Sequence, residues 1–240
     1  MIQEVNKKKV LIVFGSSSLL AENTVSFLKP FDVCLFISTK DKVVTELGLD
    51  QFHAKIEKVS VESIYNAFKQ LLPFRRSEIE EIFVVSFAGI SDKAIFKDLS
   101  QEDIDHLLSV NLNSNVYLTS ALLQYFGVGD LSLVFISSTR ALLGDRGLTM
   151  YSTTKHALAG LVKGISLEYG KFGFRANVLS LGVAPVGLVN KVPEKRLNEI
   201  LKRSAKGRMI EIESIVLSLE HLRENRALNG STHYCDGGYY

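Results

Sequence analysis

The stretch that decides the fold is LSLVFISSTRALLGDRGLTMYSTTKHALAGLVKGISLEYG, Leu131 to Gly170. An apolar, β-branched run (Leu131–Ile136) ends in Ser137-Ser138. A glycine-containing loop follows, and a helix-patterned segment opens at Tyr151-Ser-Thr-Thr-Lys155. Tyr151 and Lys155 are four residues apart, so on a helix they share one face. Ser138 falls at the C-terminal tip of the strand, where open α/β sheets bind their ligands. A hydroxyl, a phenol and an ammonium at such an edge can polarise a carbonyl. Tyr65 and Lys69 have the same spacing, but Phe52 stands where a strand-tip serine would be needed, so that pair reads as an ordinary helix face.

Outward from this stretch, strand-like and helix-like runs alternate along the chain. Strands are expected near Val10–Phe14, Val33–Ile37, Lys55–Val59, Ile82–Val85, Leu131–Ile136, Arg175–Leu179 and Thr232–Cys235. Helices are expected near Leu19–Leu28, Val61–Leu72, Gln101–Phe126, Ser152–Tyr169 and Glu213–Arg223. Several strands are near-continuous apolar runs, as when helices cover both faces of a sheet. Alternating β and α with right-handed crossovers gives a parallel, doubly wound α/β sheet. No linker or repeat breaks the pattern, so residues 1–240 read as a single domain.

Composition narrows the function classes. Apolar content of 46% with 22% charged residues is ordinary for a globular protein with a substantial core. A net charge of +2 argues against nucleic acid as the main partner. The apolar run after Lys7-Lys8-Lys9 is too short for a signal sequence or a membrane span, so a cytoplasmic location is expected. Two cysteines, Cys34 and Cys235, exclude a disulfide framework, and the histidines show no metal-ligand spacing.

The loops after the strands carry the candidate binding residues. The first turn, Gly15-Ser-Ser17-Ser18-Leu-Leu20, allows a tight bend, and its hydroxyls and amides suit a diphosphate. An ordinary strand-to-helix turn explains it as well. Ser38-Thr39-Lys40 follows the second strand without a carboxylate that would accept a ribose 2′-hydroxyl. Its hydroxyls and ammonium suit a 2′-phosphate, favouring NADP(H) over NAD(H), although Lys40 also reads as a solvated loop lysine. Ala88-Gly89 after the fourth strand let a nucleotide lie against the backbone. Asn111 sits mid-helix, where asparagine is disfavoured unless its amide is engaged.

These residues together resemble the classical short-chain dehydrogenase/reductases, most closely the β-ketoacyl-carrier-protein reductase type. The resemblance is carried by Gly15, Ala88-Gly89, Asn111, Ser138, Tyr151/Lys155, Asn177, Gly182 and Gly230…Asp236-Gly-Gly238 in order and spacing. It implies a Rossmann-like sheet of seven strands, a nicotinamide cofactor and a homo-oligomer, tetramer or dimer. It makes Tyr151 the acid or base, with Lys155 lowering the phenol pKa and holding the nicotinamide ribose. Ser138 then steadies the substrate oxygen, and Asn111 holds a water that links Lys155 to solvent. The cofactor would lie along Gly15, Ser17, Ser18, Leu20, Ser38, Thr39, Lys40, Val59, Ala88, Gly89, Tyr151, Lys155, Gly182 and Val183.

The departures from the family pattern cluster in the cofactor half. Leu19 and Ala21 replace turn glycines, Phe14 a threonine, Lys58 an aspartate and Phe87 an asparagine, while Leu181 and Val186 stand for proline and threonine. A catalytically weak binding or assembly subunit of the same fold, with a degenerate cofactor loop, is therefore the alternative to an active carbonyl reductase or alcohol dehydrogenase. Residues 184–213 form the substrate-side insertion by analogy. They are rich in lysine and arginine, which would draw an anionic or carrier-linked substrate, or simply mark a solvated helix. Arg140, two residues past Ser138, is the sharper candidate for touching that substrate beside Ser138 and Tyr151.

Overall fold

A computed structural model describes residues 7–28, 31–41, 50–72, 74, 76–91 and 93–239. In chain order these form β1 (Lys8–Phe14), α1 (Leu19–Val25), β2 (Val33–Ser38), β3 (Asp50–Lys55), α2 (Val61–Leu71) and β4 (Ile79–Ser86). Next come α3 (Gln101–Leu108), a π-turn (Ser109–Asn113), α4 (Ser114–Phe126), β5 (Leu131–Ser138), α5 (Arg140–Leu143) and α6 (Thr149–Tyr169). The chain continues as β6 (Phe174–Leu181), α7 (Glu194–Leu201), α8 (Ile212–Glu224) and β7 (Thr232–Cys235). The seven strands make one parallel sheet in the order β3-β2-β1-β4-β5-β6-β7.

The strands are apolar on both sides because both are covered. Val10, Ile12 and Phe14 of β1 face a core shared with Ile64 and Phe68 of α2, Leu118 and Leu122 of α4, and Leu158 and Val162 of α6. Leu11 and Val13 face the opposite core, closed by Val25 of α1 and Ile215, Leu219 and Leu222 of α8. Alternate residues of one strand thus enter different layers, as the two-residue period of a strand dictates. Strand order reverses direction between β1 and β4, which opens a crevice at the C-terminal edge there.

Local signals set most boundaries. Ser60 and Ser63 form a reciprocal capping box at the start of α2, and Ser100 with Asp103 does the same for α3. The strand expected at Lys55–Val59 lies earlier, at Asp50–Lys55. Ser60 commits the chain to α2, and Phe52 and Ala54 alternate onto one core from an edge strand whose His53 stacks on Phe36 of the other. The expected Gln101–Phe126 helix is two helices joined by the π-turn at Ser109–Asn113. The helix expected from Ser152 begins at Thr149, and the first ends at Val25 rather than Leu28. The four-residue α5 is too short to show a period, whereas α7 is the amphipathic helix within residues 184–213.

Cys34 lies buried on β2 and Cys235 half-buried on β7, strands separated by four others in the sheet, and both are free thiols. Among the described residues no helix is long and apolar enough to cross a membrane.

Candidate active site

The C-terminal edge brings the loops together. Gly15 follows β1 with φ of 72° and donates its amide to the Ile37 carbonyl at the end of β2. A Cβ on Gly15 would meet the Ala88 nitrogen at 2.7 Å, so only glycine allows the β1 and β4 loops to approach this closely. The Ser18 hydroxyl accepts from the Leu20 amide and caps α1. Leu19, where the family has glycine, is 40% exposed, so its side chain is not packed into the turn. After β2, the Ser38 hydroxyl accepts from the Lys40 amide at 3.3 Å and also contacts the Lys40 carbonyl, while Thr39 and Lys40 stand exposed. Val59 packs half-buried against the core beyond β3, and Val183 accepts the Ile210 amide beyond β6.

Ser138 and Tyr151 meet as expected from their spacing. Tyr151 is buried on the first turns of α6, with its phenol facing Ser138 at the tip of β5. Burial raises the phenol pKa above its ordinary value, and the Ser138 side chain and then the charge of Arg140 act against that rise. The Arg140 guanidinium is one cation that acts on the phenol. The Lys155 head is turned to the sheet. Its Nζ donates to the Ile136 carbonyl at 2.9 Å and the Ala88 carbonyl at 3.2 Å, and burial lowers its pKa to about 8. Gly89 makes room for that ammonium, since a Cβ there would lie 2.8 Å from Nζ.

Asn111 lies in the π-turn, buried, with every side-chain atom engaged. Its Oδ1 accepts the Ile90 amide at 2.8 Å, and its Nδ2 donates to the Ile90 carbonyl at 3.0 Å and to the Thr154 hydroxyl at 3.1 Å. It thus ties the loop after β4 to α6, one residue before Lys155. Its backbone carbonyl, within the π-turn, accepts from Asn115 Nδ2 at 2.8 Å. The Asn115 Oδ1 in turn accepts from the Ser86 hydroxyl at 2.6 Å. Asn115, Thr154 and Ser86 are contributors that pattern reading missed. The available signals were a second asparagine one turn after the first and a serine closing an apolar strand.

Arg140 opens α5 directly beyond Ser138, with its amide donating to the Ser138 hydroxyl at 3.3 Å. Its guanidinium pairs with Asp145, and Arg196 of α7 reaches the other oxygen of the same carboxylate at 3.4 Å. Asp145 and Arg196 were likewise not singled out by the sequence. No group of three or more histidine, cysteine or acidic side chains gathers as for a metal ion among the described residues.

Comparison with known proteins bears on the family of the chain. Residues 76–240 match a family model described as "Enoyl-(Acyl carrier protein) reductase". The chain is 28% identical over 240 residues to carbonyl reductase family member 4 of Xenopus laevis, covering 96% of this chain and 97% of that one. It is 25% identical to the (2S)-[(R)-hydroxy(phenyl)methyl]succinyl-CoA dehydrogenase subunit BbsD of Thauera aromatica, over 97% and 96% of the two chains. It is 30% identical to the 2-dehydro-3-deoxy-D-gluconate 5-dehydrogenase of Bacillus subtilis, over 74% and 70%. A short-chain dehydrogenase/reductase of Serratia marcescens superposes with a TM-score of 0.84 at 21% identity, over 98% and 99% of the chains, which shows a common fold.

Proposed function

Because the chain belongs to the short-chain dehydrogenase/reductase family, we propose that Ser138, Tyr151, Lys155 and Asn111 make it an oxidoreductase interconverting a carbonyl and an alcohol. The observation that carries this reading is the convergence of the buried Tyr151 phenol on Ser138 at the C-terminal tip of β5, where Ser138 counters the rise in the phenol pKa. Two donors converging where an oxygen gains charge lower the barrier to reduction. The raised phenol pKa keeps Tyr151 protonated at neutral pH, as a proton donor to that oxygen requires. In the reverse direction the phenol must lose its proton, and the Arg140 charge assists that loss.

Family membership implies a nicotinamide dinucleotide, which supplies or takes up the hydride when bound. The residues present fit it. The Gly15 turn closes only because no Cβ intervenes, and the Ile136 and Ala88 carbonyls engage Lys155 Nζ while leaving one of its three protons for a ribose hydroxyl. Exposed Thr39 and Lys40 after β2, with the nearby Asp41 carboxylate held by Lys55 at 2.7 Å, favour NADP(H) over NAD(H). Residues 184–213 form the substrate side, and the copies of the chain assemble as a homo-oligomer, dimer or tetramer. Two relatives are named for a succinyl-CoA compound and a dehydro-deoxy-gluconate, both anionic, which supports an acidic substrate for this chain.

Tyr151→Phe tests the reading. Turnover is expected to fall by roughly 10²- to 10⁴-fold while dinucleotide binding, followed by NADPH fluorescence, persists. Undiminished turnover removes Tyr151 from the chemistry. A second reading, a binding or assembly subunit, draws on Leu19 and Phe87 replacing small and polar family residues around the cofactor crevice. Titration with NADPH and NADH separates the two, since no binding of either supports the second.

A further inference from the structure

We infer that Arg140 and Arg196, held together by Asp145, form a clamp for a carboxylate or phosphate carried by the carbonyl substrate. This rests on the carbonyl-oxidoreductase reading and deepens it by naming the substrate class. Arg140 comes from the loop that presents Ser138, whereas Arg196 comes from α7, more than fifty residues further on. They meet only through Asp145, whose Oδ2 pairs with Arg140 Nη1 and whose Oδ1 takes both Arg196 Nη2 and the Arg146 amide. The Asp145 side chain is 10% exposed and that of Arg140 16% exposed, so this ion pair is largely withdrawn from water.

Donor counts leave room for a further anion. One inner carboxylate is shared by two guanidiniums, and the remaining acid, Glu199, bonds Arg196 Nη1 at 3.0 Å from a half-exposed place on the outer face of α7. Solvent screens that outer pair, so it neutralises little of the field inside. Of the five N–H donors of Arg140, the Asp145 bond engages those of Nη1 alone, and a planar guanidinium presents the rest as a fork that matches carboxylate or phosphate oxygens. The Arg140 amide donates to the Ser138 hydroxyl at 3.3 Å, so an anion held by its guanidinium lies within one arginine side chain's length of Ser138. A loop lock alone would need one arginine, and the second arrives from the segment that closes the substrate side.

The test uses two matched probe pairs: 3-oxobutanoate with its methyl ester, and dihydroxyacetone phosphate with dihydroxyacetone. The wild-type protein is expected to prefer the anionic member of at least one pair, and which pair responds identifies carboxylate or phosphate. Arg196→Met, whose side chain is 40% exposed, and Arg140→Met are expected to lower that preference in kcat/KM roughly tenfold or more. A parallel measurement needs no turnover. Malonate or inorganic phosphate should raise the thermal midpoint of the wild type saturably, and that rise should vanish in both variants. Loss of anion stabilisation in the variants supports the clamp even where none of the four carbonyl compounds is reduced, an outcome that counts only against the reaction. An equal effect on charged and neutral probes, or no anion response in the wild type, overturns it.

Discussion

At the scale of single residues, Lys155 has the environment with the largest measurable consequence. Its folded pKa is about 8 against 10.5 for an exposed lysine, with burial as the cause. Below pH 8 both folded and unfolded chains carry the proton, and the folded state bears the whole desolvation cost. Between pH 8 and 10.5 the unfolded state holds more protons, so this group makes stability rise with pH. Urea denaturation should therefore show the wild type gaining on Lys155→Met across that window, by up to about 3 kcal/mol. A pH-independent difference would mean that the ammonium is solvated. Gly89→Ala offers a complementary check, since its methyl would lie 2.8 Å from Nζ and push it off the Ala88 and Ile136 carbonyls. Turnover should fall about tenfold, the scale set by displacing a positioned group by an ångström or less. The pairing of Ser138 with Tyr151 was legible from spacing alone. The direction taken by the Lys155 head was not, because it depends on carbonyls of β5 and of the loop after β4, distant in sequence.

At the scale of elements, the π-turn between α3 and α4 does the positioning. It turns Asn111 toward Ile90 and Thr154 and offers its carbonyl to Asn115. Asn115→Val would remove that bond and leave the buried Ser86 hydroxyl without its Asn115 acceptor, at a cost of about 1–3 kcal/mol. A double-mutant cycle of Ser86→Ala with Asn115→Ala should return a coupling of about 1 kcal/mol in denaturant midpoints, whereas additive effects would mean that the two do not cooperate. The expected continuous helix over 101–126 was right in direction and wrong in register, because a single inserted residue per turn leaves apolar periodicity almost intact. The central strands were legible because they are uninterrupted apolar runs. Edge strand β3 was misplaced because only alternate residues of it, Phe52 and Ala54, are apolar.

At the scale of the molecule, β7 is an edge strand of four residues, and α8 lies beside it. Leu217 and Tyr234 are 69% and 51% exposed, and with His221 and His233 they line a groove between α8 and β7. Apolar surface on an uncovered sheet edge suits contact with another copy of the chain, in line with the homo-oligomer proposed above. Leu217→Glu should lower the mass measured by light scattering after gel filtration, and an unchanged mass would place the contact elsewhere. The alternation that gave the sheet was written along the whole chain, but the joining of α7 to the catalytic loop was not, since ion pairs have no period. Past β7 the backbone returns to α7. Ala205 and Lys206 donate to the carbonyls of Gly238 and Gly237, Tyr239 bridges to Ser204, and its ring lies under Arg203. These contacts anchor one end of the helix whose other end carries Arg196. A bulky fusion or a protease nick just beyond Cys235 would accordingly slacken substrate capture while leaving the sheet and the phenol untouched.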